Sequence, residues 1–161
     1  METNTFDKLL LQTAFVCMAS DGTVADEEKV LLKETCKKEA VFQNIDVEEE
    51  LKVFASEFNA KGKDYFFDYY KKIEQAELSE SEQLTLIRIS IAIIKADANI
   101  EYSEVKFFKT IRYRLKISDE AIVANLSEDI EDIDLFLGED IKSYISIETA
   151  TEQYFKATDF L

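Results

Sequence analysis

A chain of 161 residues with 47% apolar side chains is long enough to bury one ordinary core. Its 34 acidic against 19 basic residues leave a net charge of −15, which repels phosphate backbones and anionic membrane surfaces and argues against nucleic acid as a partner. No proline and only three glycines leave little material for hairpin turns, so helix formers dominate and predict an all-α fold.

From the N-terminus, Met1 to Lys8 is polar and acidic, and no apolar run approaches the length of a membrane span. The expectation is a cytoplasmic chain with no signal peptide and no direct membrane insertion. Phe6, Leu9, Leu10, Thr13, Ala14 and Cys17 recur at helical spacing and predict a first helix to about Ala19, ending before Asp21-Gly22. A second helix from about Ala25 carries Leu31, Leu32 and Thr35 inward. A third opens at Asp46 and Glu49, spaced as a capping box, with Val47, Leu51, Phe54 and Phe58 as its stripe. Cys17 and Cys36 fall on apolar helix faces, where a free thiol behaves as a small hydrophobe; with no CxxC spacing they read as reduced core residues.

Gly62 separates the third helix from an aromatic fourth, Tyr65, Phe66, Phe67, Tyr69 and Tyr70, read as interhelix packing, with an exposed partner-binding groove as the alternative. Ser79 and Glu82 form a second capping box. The helix they open, with Leu84, Leu86, Ile87, Ile89, Ile91, Ile93 and Ile94, is apolar nearly all round and predicts the buried centre. A sixth helix from about Glu101 has Val105, Phe107, Phe108, Ile111 and Leu115 apolar, while Lys109, Arg112, Arg114 and Lys116 are expected to snorkel or pair with acids. Shorter pieces follow at 119–126, 127–137 and 141–157, separated by Ser127 and Gly138. One compact domain over 1–161, of about seven to nine helices in two pseudo-repeated halves, is the expectation.

Shifting the chain on itself by 76 residues aligns Asp21-Gly22-Thr23-Val24-Ala25-Asp26-Glu27-Glu28 with Asp97-Ala98-Asn99-Ile100-Glu101-Tyr102-Ser103-Glu104. Both copies read D-x-x-[VI]-x-x-x-E, follow an apolar helix and precede an apolar pair, Leu31-Leu32 or Phe107-Phe108. The pattern matches the second half of an EF-hand loop, with the Asp at position 5 and the Glu at position 12. Positions 1 and 3 would be Cys17 and Ala19, or Ile93 and Lys95, so neither copy can hold calcium alone. Pairing the halves would bring Asp21, Glu28, Asp97 and Glu104 together around one hard cation. Without histidine, and with the cysteines outside the motif, only oxygen donors remain, which favours calcium or magnesium over zinc or copper. A plainer reading competes: Glu28 and Glu104 lie near N3 of their helices, where a carboxylate suits the positive helix end, and Asp21 and Asp97 are ordinary turn residues.

The stretches A-S-D-G-T-V-A-D-E-E at 19–28 and K-A-D-A-N-I-E-Y-S-E at 95–104 resemble the paired signatures of the TerB-like family linked to tellurite resistance. The resemblance covers residues 6–120 and leaves 121–161 as a helical C-terminal extension. It implies a pseudo-twofold helical core with an acidic metal-binding surface carrying Asp21, Glu28, Asp97 and Glu104, with Asp26, Glu27 and Glu101 nearby; a related domain occurs in membrane-anchored DnaJ-type co-chaperones. Ala98 departs from the glycine expected after the second Asp, and Ala25 and Glu101 from the small hydroxyl residue expected at the cap.

Two functions follow as expectations. One is a non-catalytic module that binds calcium or magnesium and a protein partner in a stress response. The other is a structural or dimeric adaptor whose repeated acids are turns and caps, using the aromatic helix or the C-terminal segment. An enzyme is disfavoured, because no histidine, no nucleophile beside a base and no glycine-rich phosphate loop is present, and no organic cofactor is implied.

Overall fold

The computed structural model describes residues 3–20, 26–96, 102–128, 130 and 133–137. These residues form α1 (Thr3–Met18), α2 (Asp26–Lys38), a 3-10 turn (Ala40–Phe42), α3 (Val47–Lys61), α4 (Lys63–Gln75), α5 (Glu80–Lys95), α6 (Tyr102–Tyr113), α7 (Asp119–Leu126) and α8 (Ile133–Phe136). The fold class is all-α. The tail helix expected over 141–157 lies outside the described residues.

Local chemistry sets the boundaries. The Asp46 side chain accepts from the Glu49 backbone N–H at 3.2 Å to start α3. At α5 the box is reciprocal: Ser79 Oγ accepts from Glu82 N at 3.1 Å and Glu82 Oε1 accepts from Ser79 N at 2.9 Å. Ser118 caps α7 from one side only, its Oγ accepting from Ala121 N–H at 3.1 Å. Between α3 and α4 the backbone needs φ of +59° at Gly62, a conformation that side chains with a Cβ rarely adopt, so one residue ends one helix and opens the next.

Packing departs from expectation at the centre of the fold. The centre is shared: α5 buries Leu86, Ile87, Ile89, Ile91, Ile93 and Ile94, but α1 buries Leu10, Leu11, Ala14, Phe15, Val16 and Cys17 just as completely. These two helices pack on each other more extensively than any other pair, with α2, α3 and α6 also against α1. The stripe Phe6, Leu9, Leu10, Thr13, Ala14 and Cys17 understated α1, because a helix surrounded on several sides has no single apolar face.

The aromatic segment is core. Tyr65, Phe66, Tyr69 and Tyr70 are buried, and Phe67 packs against the core from the edge. Phe15 of α1 stands edge-on to Phe58 and Tyr65 at 5.9 Å, and Phe66 meets Phe107 of α6 at 5.5 Å. Two of these three phenol groups bond to α1: Gln12 Nε2 donates to Tyr65 Oη at 3.0 Å, and Thr13 Oγ1 shares a hydrogen bond with Tyr69 Oη.

The two arginines of α6 and its continuation pair with acids. Arg112 bonds Asp119 at 2.7 Å, while Arg114 lies 3.0 Å from Glu74 and 4.1 Å above the Tyr70 ring. Lys109 is buried, which the helical pattern placed on the polar face.

Candidate metal centre

The two motif glutamates occupy equivalent places. Glu28 is in the first turn of α2 and Glu104 in the first turn of α6, both half-buried. The bounds of α1 and α2 recur in α5 and α6 to within one residue of the 76-residue shift: α2 begins at 26 and α6 at 102, while α1 ends at 18 and α5 at 95. Asp21 and Asp97, with Glu101 and the intervening turns, lie outside the described residues. Asp26 and Glu27 are exposed, and Asp26 pairs with Lys29 at 3.6 Å. Among the described residues no group of three or more potential ligands converges.

What is described brings the second glutamate to the first half of the chain. Helix α6 packs on α1 as well as on α5. Cys17, on α1 and four residues before Asp21 in the sequence, is buried. Burial pushes its thiol up to about 12; a hydrogen bond with the Ser90 side chain of α5 opposes this, and the Glu104 charge adds to it. Glu104 of α6 is thus near enough to Cys17 of α1 for its carboxylate to disfavour the thiolate.

The donor chemistry fits a hard ion. Cys36, like Cys17, is free and fully buried, and burial followed by the charge of Glu39 pushes its thiol up to about 12. Both thiols stay protonated at neutral pH, and thiolate is the form a soft metal binds. Carboxylate oxygens are what the motif offers, the donor type of calcium and magnesium.

Neither the Cys17 proximity to Glu104 nor the burial of Gln12 and Lys109 was read from the sequence. Each depends on a contact between segments far apart in the chain, and the only available signal for Gln12 was its place beside Thr13 on a helix that proved to be surrounded.

No family model, no curated protein and no solved structure matches this chain. No helix among the described residues is long and apolar enough to cross a membrane.

Proposed function

We propose that the chain is a non-catalytic TerB-like module in which two D-x-x-[VI]-x-x-x-E repeats, through Asp21, Glu28, Asp97 and Glu104, share one calcium or magnesium ion, and that metal loading governs binding of a protein partner in a stress response. The observation that carries this reading is the matched placement of Glu28 and Glu104 in the first turns of α2 and α6, with Glu104 acting on the end of α1. Clustered carboxylates repel one another without a cation, so binding of the ion and packing of the surrounding helices are coupled. In this reading residues 6–120 form the core module of two related halves and 121–161 an extension.

One observation favours a second reading. A carboxylate in the first turn of a helix is stabilised by the helix dipole without any metal, and both Glu28 and Glu104 are so placed. On that view the chain is a structural or dimeric adaptor and its repeated acids are caps. Its contact surface would not be the aromatic helix, whose rings Tyr65, Phe66, Tyr69 and Tyr70 are buried.

Thermal unfolding of chelator-stripped protein with calcium, then magnesium, at matched ionic strength separates the two. An ion at a hundred times its Kd adds about 2.7 kcal/mol, a rise of several degrees for a chain of this size. The rise is expected to vanish in the Asp21→Asn/Asp97→Asn variant and in Glu28→Gln/Glu104→Gln. A melt unmoved by either ion would leave the adaptor reading.

A further inference from the structure

Away from the acidic repeats, a groove of about 450 Å³ opens between the N-terminal half of α1, α3 and the end of α4, a volume within the range of small-molecule sites. Its apolar floor is Leu9, Phe54 and Ala76, and its polar rim includes Lys8, Lys72 and Gln12. In a chain with 34 acidic residues, no aspartate or glutamate is among the described residues that line it. Lys8 is held at 3.6 Å by Glu50, which lies outside the lining. Among the described residues Lys72 Nζ has one partner, and it is a neutral one: the Gln12 side-chain oxygen, 3.3 Å away.

We infer that this groove binds a short-chain monocarboxylate, its headgroup on Lys72 and its alkyl tail on Leu9, Phe54 and Ala76. An ammonium offers three N–H donors, and one is directed at Gln12, so two remain for a carboxylate. Gln12 is only 3% exposed and is fixed from behind by its bond to Tyr65, so it gives the exposed Lys72 side chain a fixed acceptor beside the groove. The charge preference is the reverse of the molecule's own: a net charge of −15 favours cations everywhere by long-range attraction, so a site that selects an anion does so by local contacts.

Calorimetric titration of the full chain with sodium hexanoate, and with hexylammonium and 1-hexanol at matched ionic strength, tests this. Saturable binding of hexanoate is expected, with neither the amine nor the alcohol binding comparably. Lys72→Met should weaken it by about tenfold or more, the loss of one charge-assisted hydrogen-bonding partner. Ala76→Leu, which fills the floor from an independent position, should weaken it as well, and Lys71→Met, at a neighbouring exposed lysine outside the lining, should leave it unchanged. The assignment is overturned if hexanoate does not saturate, if hexylammonium binds as tightly, or if Lys72→Met, checked by circular dichroism to be folded, keeps its affinity.

Discussion

Cys17 and Cys36 have essentially no contact with solvent, and burial lifts both thiols from an ordinary value of 9.0 to about 12. Their behaviour with pH follows from the sign of that shift. Below pH 9 both states of the protein hold the thiol protons and the stability is complete. Above it the unfolded chain loses protons that the native state retains, so stability falls by about 1.4 kcal/mol per pH unit for each thiol until the native value is reached. Burial also lifts the phenols of Tyr65 and Tyr69, which add to the loss above pH 10. Urea unfolding at a series of pH values should therefore give a plateau from neutrality to about pH 9 and a steep decline beyond it. Cys17→Ala should decline less steeply by one thiol's slope, whatever its offset at neutral pH; an unchanged slope would show that Cys17 ionises freely in the native fold.

At the scale of elements, Gln83 does for α5 what no helix pattern could reveal. Its Oε1 accepts from the backbone N–H groups of Lys116 and Ile117 at 3.0 and 2.9 Å, and its Nε2 donates to the Leu78 carbonyl at 3.1 Å. The chain leaving α6 is thereby tied to the start of α5 before α7 begins. Gln83→Leu leaves two N–H groups at a largely buried site without acceptors, so a loss of about 2–5 kcal/mol is expected, seen as a lowered urea midpoint and as faster hydrogen exchange at 116 and 117. Gln83→Glu keeps the acceptors and should recover part of it; equal loss in both variants would mean that packing, not acceptance, is what matters. The contrast with the rest of the fold is instructive. Helix starts at Asp46 and Ser79 and the break at Gly62 were legible because a cap or a positive φ is a local demand. The central role of α1, the burial of Lys109 and the reach of Gln83 were not, because each is settled by which distant helix lies opposite.

Across the whole molecule the same division holds for the candidate site. The recurrence of Asp21 and Glu28 in Asp97 and Glu104 is a property of the sequence, whereas the approach of Glu104 to Cys17, and the Lys72–Gln12 groove, depend on packing between segments 60 or more residues apart. Net charge supplies the test that isolates the site from its background. A charge of −15 opposes compaction, while ion pairs such as Arg112–Asp119 at 2.7 Å, Arg88–Glu39 at 3.2 Å and Lys61–Asp68 at 3.0 Å favour it. Exposed pairs contribute about 0–1 kcal/mol each and salt weakens them, but salt equally screens the unbalanced repulsion of the excess acids, whose Debye length falls from about 30 Å at 0.01 M to about 8 Å at 0.15 M. The excess is 15 charges and each exposed pair contributes little, so repulsion wins and sodium chloride should raise the melting temperature over that range. A fall instead would mean that the ion pairs outweigh the repulsion. Because this background effect depends on ionic strength rather than on the identity of the cation, stabilisation by calcium beyond that of sodium chloride at equal ionic strength belongs to a specific site, and only that increment should disappear when Asp21 and Asp97 become asparagine.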